Sequence, residues 1–157
     1  MNVFENLFKK ESTEESIALD INELKAAKNK LVFGKLHASW CGHCKDLAEI
    51  WEETVSKIKS KNNNVLDIAI ESEVMDNEVS KINNALVSKS SPKLVLQEGY
   101  PTIFKIVRGH VHYYNGPREI EPMVAWAVSG SNTRSVSKKR KHRRAYRTHK
   151  RGRSRRR

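Results

Sequence analysis

Leu31-Val-Phe-Gly-Lys-Leu-His-Ala-Ser-Trp-Cys-Gly-His-Cys-Lys45 is the stretch on which the reading of this chain turns. Leu31 to Ala38 is apolar at most positions and predicts a strand in the interior of a sheet. From Cys41 the period changes. Leu47, Ile50, Trp51, Val55 and Ile58 recur at helical spacing, with Asp46, Glu49, Glu52, Glu53 and Lys57 on the other side, so a helix is predicted from Cys41 to about Lys59. Cys41 and Cys44, the only two cysteines, therefore stand where a strand ends and a helix begins. Thiols at this spacing can open and close a disulfide while the helix N-terminus stabilises a thiolate. The competing reading is half of a structural zinc site completed by histidines such as His110 and His112. Structural zinc takes four ligands, usually from two well-formed pairs, and with one Cys pair the arithmetic favours redox chemistry.

Outward from this stretch, Lys61-Asn-Asn-Asn64 breaks the helix and Val65 to Ile70 returns as a strand. Strand, helix and strand in this order imply a right-handed parallel crossover. Upstream, Asp20-Ile-Asn-Glu23 reads as a capping box that opens a helix to about Asn29, preceded by a short edge strand over Ser16–Leu19. Residues 1–15 form an arm with Val3, Phe4, Leu7 and Phe8 at helical spacing. Downstream, a polar segment carries a helix around Asn77–Leu86 and an irregular loop through Ser88–Pro92. Tyr100 to Arg108 is a strand, Gly109 turns it into His110–Tyr114, and the two pair antiparallel. After the turn Asn115-Gly-Pro117, a last helix holds Ile120, Met123, Val124, Ala127 and Val128, with Pro122 in its first turn and Gly130 as its stop.

Charge divides the chain. The 27 residues from Ser131 to Arg157 hold 14 Lys/Arg and no acid, leaving 16 basic against 18 acidic side chains in the rest of the 157-residue chain. The formal +12 thus belongs to the tail, and the body is close to neutral. The tail has no apolar face and its like charges repel, so it is expected to be disordered. Such blocks bind phosphate backbones without sequence preference, and Lys138, Lys139, Arg140, Lys141, Arg143 and Arg144 are the candidates for nucleic-acid contact. Nuclear import and plain solubilisation are the other uses of the same residues. No signal peptide and no bilayer-spanning apolar run is read, so a cytoplasmic or nuclear protein is expected, or one packaged in a virion, acting as a monomer with no membrane association.

Three blocks carry a resemblance. Trp40-Cys-Gly-His-Cys-Lys45, Gly99-Tyr-Pro-Thr102 and Tyr114-Asn-Gly-Pro-Arg118 resemble the active site, the cis-proline loop and the Y-x-G-x-R element of protein disulfide isomerase-type domains of the thioredoxin superfamily. The resemblance covers about Ser16 to Gly130. It implies an α/β thioredoxin fold, a central mixed sheet flanked by helices, over residues 16–130 between the arm and the 131–157 tail. It also implies a protein thiol–disulfide oxidoreductase that needs no cofactor beyond a redox-active Cys41–Cys44 disulfide and takes thiol- or disulfide-containing proteins as substrates. There are departures. Ser39 and Glu49 stand where the family usually has prolines, so the helix after Cys41 is expected to run straight. Lys35 occupies the position, six residues before the first cysteine, where the family buries a carboxylate that helps move a proton. The partner lysine of that carboxylate corresponds to Ala69, and Asp67 or Glu71, on the same strand face, could supply a carboxylate.

Within this reading Cys41 is the attacking thiolate and Cys44 the resolving thiol. Gly42 and His43 lie between them, and an imidazolium at His43 would favour the Cys41 thiolate. Trp40 is expected to shield one side of the disulfide. Pro101 is expected cis, leaving backbone beside the sulfurs to pair with an extended peptide. Arg118 is expected to approach the thiols and modulate Cys44. The alternative is a nucleic-acid-associated, possibly virion-packaged protein anchored by its tail, with the redox domain as a secondary module.

Overall fold

A computed structural model describes residues 18–131, so the N-terminal arm and all of the tail beyond Ser131 lie outside the described residues. Helix α1 (Ile21–Ala26) begins at Asp20, whose side chain accepts the Asn22 N–H (2.9 Å), and tightens into a 3₁₀ turn over Ala27–Asn29. Strand β1 (Leu31–His37), helix α2 (Gly42–Lys61) and strand β2 (Val65–Glu71) follow, then α3 (Met75–Ala85). Strands β3 (Thr102–Val107) and β4 (His110–Tyr113) and helix α4 (Ile120–Val128) complete the chain. The strand order is β2-β1-β3-β4, with β1 parallel to β2 and the other two pairs antiparallel. The interior strand predicted from its apolar run is β1, flanked on both sides. The mixed sheet with helices on its faces is the thioredoxin fold.

Of the edge strand expected over Ser16–Leu19, the described residues Ala18 and Leu19 are not in a strand; the Leu19 N–H donates instead to the buried carboxylate of Glu78 on α3 (2.9 Å), which Lys81 neutralises at 2.7 Å. The rest of that expected strand, Ser16 and Ile17, lies outside the described residues. The opposite boundary also moves. Ser131, assigned to the tail by composition, is buried, and its hydroxyl donates to the Val128 carbonyl at the end of α4 (2.7 Å).

Alternation along β1 divides the core into two layers. Val32 and Leu36 face α1 and α3, packing with Leu24, Ile68, Ile82 and Phe104. Leu31 and Phe33 face α2 and α4, packing with Leu47, Trp51, Ile58, Met123 and Val124. Phe33 stacks on Trp51 with ring centroids 4.8 Å apart. Gly34 is where Phe104 presses on the sheet, since a Cβ there would lie 2.5 Å from the Phe104 Cζ. At the end of the molecule where α4 stops, the ammonium of Lys105 donates to the carbonyls of Trp126 (2.6 Å) and Ser129 (2.7 Å), satisfying groups a helix C-terminus leaves open. Among the described residues, no helix is long and apolar enough to cross a membrane.

Candidate active site

Cys41 is the N-cap of α2, in extended backbone (φ −87°, ψ 121°), and its carbonyl accepts the Lys45 N–H (3.2 Å). Its own N–H donates to the Ala38 carbonyl (3.1 Å), which closes the turn between strand and helix. A second anchor holds this turn. The Ser39 N–H donates to Glu71 Oε1 (2.9 Å), while Glu71 Oε2 lies 3.1 Å from His37 Nδ1, its register partner across β1 and β2. Helix α2 continues without interruption to Lys61, with Glu49 within it.

The two thiols are unlike. Both are free; Cys41 is half-buried, whereas Cys44, one turn into the helix and facing the sheet, is only 5% exposed. A hydrogen bond from the Cys44 side chain, followed by the Cys44 backbone N–H, pulls the Cys41 thiol below its ordinary range, and the His43 backbone N–H and the Arg118 charge add to this. Burial pushes the Cys44 thiol up, reinforced by the hydrogen bond and charge of Cys41 and opposed by the Ala38 backbone and the Lys35 charge. This asymmetry suits one accessible, more readily ionised sulfur backed by a sheltered one that holds its proton more tightly.

Across the helix terminus lies the loop before β3. The Tyr100–Pro101 bond is cis, as expected, and the Tyr100 carbonyl accepts from Cys41 Sγ at 3.6 Å. Tyr100, Pro101, Thr102, Tyr114, Asn115 and Arg118 line a cleft of about 830 Å³. The three motif blocks thus converge from three parts of the chain.

Trp40 is 72% exposed, with its ring edge-on to Tyr100 at 5.7 Å, beside the residue whose carbonyl accepts from Cys41. His43 is exposed, and its backbone N–H helps to lower the Cys41 thiol. Arg118 is exposed, and its charge helps to lower the Cys41 thiol. Gly42 opens α2 with free space around its Cα. Lys35 does pair in register with Ala69, and it is 7% exposed with its ammonium 5.0 Å from the Trp51 ring centroid. Asp67 is held by Lys59 at 2.5 Å and Glu71 by His37 and Ser39. His110 and His112 lie on β4, paired with the far end of β3 from Pro101, so register separates them from the cysteines. Among the described residues, no three of His, Cys, Asp and Glu converge as metal ligands do. The tail candidates Lys138 to Arg144 lie outside the described residues. Sequence reasoning missed His37, although it stands two positions beyond Lys35 on the same strand face and so was open to the same alternation argument.

Residues 11–129 match the family model described as Thioredoxin. A 105-residue stretch is 30% identical to the Probable protein disulfide-isomerase A4 of Caenorhabditis elegans, covering 67% of this chain and 15% of that protein. A 118-residue stretch is 32% identical to the Protein disulfide-isomerase of Aspergillus oryzae, covering 74% of this chain and 20% of that protein. The chain therefore spans a fifth or less of the length of these relatives. Its fold is similar to the solution structure of the first thioredoxin domain of mouse Protein disulfide-isomerase A4, with a TM-score of 0.52 and 26% identity over 74% of this chain and 75% of that one.

Proposed function

The chain belongs to the thioredoxin family, and from that membership and the site's geometry we propose that it is a protein thiol–disulfide oxidoreductase of the disulfide-isomerase type. The observation that carries this reading is the pairing of a half-buried Cys41, with a lowered pKa at the N-terminus of α2, and a buried Cys44 one turn behind it. The Cys41 thiolate attacks one sulfur of a substrate disulfide, forming a mixed disulfide and releasing the other substrate sulfur as a thiolate. Cys44 then gives up its proton and attacks Cys41 Sγ, forming Cys41–Cys44 and releasing the second substrate thiolate. The reverse sequence transfers a disulfide to a dithiol substrate. The cleft beside Tyr100 offers main-chain groups to an extended peptide, in the manner of strand addition. The test is trapping: Cys44→Ser should accumulate a mixed disulfide on residue 41, and Cys41→Ser should exchange with nothing.

A second reading rests on the tail. Fourteen Lys/Arg without an acid in residues 131–157, joined to a near-neutral body, favour a salt-sensitive association with nucleic acid that holds the redox domain in place. Binding of the full chain and of a chain ending at Ser131 to duplex DNA, compared across salt concentrations, tests it.

A further inference from the structure

We propose that Glu71 is a positioning residue for the attacking sulfur: its carboxylate pins the peptide group between Ala38 and Ser39, and that group holds the backbone of Cys41. The inference rests on the oxidoreductase reading above and assigns what keeps its first reactant in place. Ala38 to Cys41 form a turn closed by the Cys41 N–H on the Ala38 carbonyl (3.1 Å). The other end of the same peptide group, the Ser39 N–H, donates to Glu71 Oε1 (2.9 Å). A trans peptide group is planar, with its C=O and N–H pointing to opposite sides, so one hydrogen bond at each end fixes its orientation between β2 and the start of α2. Either bond alone would leave the group able to tilt. Proline stiffens the second position of a turn because its ring sets φ, but it brings no N–H. Ser39, at that position, leaves φ unset and supplies the donor that Glu71 takes.

Glu71 is itself held. It is the last residue of β2, in register with His37 at the end of β1, so it stands where the turn leaves the sheet. Its Oε2 lies 3.1 Å from His37 Nδ1, and its Oε1 accepts the Ser72 hydroxyl (3.2 Å) as well as the Ser39 N–H. A carboxylate acceptor makes a stronger hydrogen bond than a neutral one. What the turn fixes is chemical. Cys41 is the N-cap of α2, and the backbone N–H groups of His43 and Cys44 reach its sulfur only while its backbone stays at the helix start. On the other side Cys41 Sγ meets the Tyr100 carbonyl at 3.6 Å. A tilted turn moves the sulfur away from both. The Ala38 backbone also reaches the Cys44 sulfur, so the pinned segment touches the two thiols together.

The experiment labels the reduced full chain briefly with iodoacetamide from pH 5 to 10 and reads Cys41 by peptide mass. Wild type, Glu71→Gln and Glu71→Ala are compared, each also in a Ser39→Pro background. A carboxylate's charge by itself disfavours a nearby thiolate, so its removal alone would move the Cys41 profile to lower pH. Glu71→Ala should instead move the profile to higher pH and slow alkylation at pH 7 several-fold, because the turn is released. Glu71→Gln, whose amide oxygen can still accept the Ser39 N–H, should not show that rise. In the Ser39→Pro background, where the donor is gone, Glu71→Ala should add no further rise. Should Glu71→Ala fail to fold, amide hydrogen exchange of wild type supplies the test: Ser39 is exposed, yet its N–H should exchange slowly. A profile unchanged or lowered in Glu71→Ala, the same rise without the Ser39 donor, or a Ser39 N–H that exchanges like an open amide overturns the role of Glu71 and leaves the oxidoreductase reading standing. A wild type that forms no mixed disulfide with oxidised glutathione overturns that reading, whatever the alkylation profiles show.

Discussion

The Sγ of Cys41 lies 3.6 Å from the backbone carbonyl oxygen of Tyr100, which joins the N-terminus of α2 to the loop that leads into β3. Fifty-nine residues separate the two in the chain, so the contact exists only once the β1–β3 register is formed. It places the reactive sulfur at the border of the cleft and leaves Cys44 behind it. Modification by iodoacetamide should therefore be ordered, Cys41 first and Cys44 slowly. Peptide mapping of partially alkylated protein checks the order, and Cys44 reacting first would contradict it.

The same asymmetry sets a pH dependence. The Cys41 thiol titrates below its ordinary value of 9.0 in the fold, so the folded dithiol sheds that proton before the unfolded chain does. Its contribution to stability is gained as pH rises from the lowered value towards 9.0 and is lost as pH falls through the lowered value. Cys44, raised by burial, has the opposite sign and withdraws stability as pH rises through and above 9.0. Iodoacetamide rates for Cys44→Ser should accordingly rise with an apparent pKa below 9.0, whereas those for Cys41→Ser should rise above it.

Gly34→Ala probes the core rather than the chemistry. The new methyl would lie 2.5 Å from Phe104 Cζ and 3.1 Å from the Ile68 carbonyl oxygen, in a fully buried part of the sheet. Overpacking of this kind costs about 1–3 kcal/mol. Urea denaturation should show a lowered midpoint with an unchanged slope.

Lys105→Met should remove the ammonium that donates to the Trp126 and Ser129 carbonyls and lies 4.6 Å from the Trp126 ring centroid, leaving the Trp126 carbonyl the Ser129 N–H and hydroxyl as donors. Burial already pulls the Lys105 ammonium below its ordinary range, so three acceptor contacts, the third to Ser129 Oγ at 3.1 Å, keep it in place. Losing hydrogen bonds made by a charged donor costs about 1.5–3 kcal/mol. Thermal and urea unfolding should report that loss, and the glutathione exchange rate at the distant cysteines should not change.

Most of this architecture was legible because it depends on local patterns. The apolar run of β1, the heptad-like stripe of α2 and the Asp20 cap each specify an element from neighbouring residues. The Cys41–Cys44 pair and Pro101 were legible as motifs. What escaped depends on distant partners. Leu19 gives its N–H to Glu78, 59 residues away, in place of a strand neighbour, and no local pattern shows that bond. The contact of Trp40 with Tyr100 depends on the loop before β3, 60 residues on, which no local pattern shows. His37 and Glu71 become partners only through the parallel register of β1 and β2.

Removal of residues 132–157 should separate the two proposed roles. The shortened chain should keep glutathione exchange and lose DNA binding. For the full chain, that binding should fall by about three orders of magnitude or more between 50 and 200 mM salt if six or more phosphates are contacted. Loss of exchange on truncation would contradict the separation.

The central claim is most directly tested by equilibrating the full chain with defined ratios of reduced and oxidised glutathione and counting thiols and mass by acid trapping. The account predicts one reversible Cys41–Cys44 disulfide per chain, with a potential nearer about −180 mV than about −270 mV, because the site favours the Cys41 thiolate of the reduced form. A chain that forms no reversible internal disulfide at any ratio would contradict it.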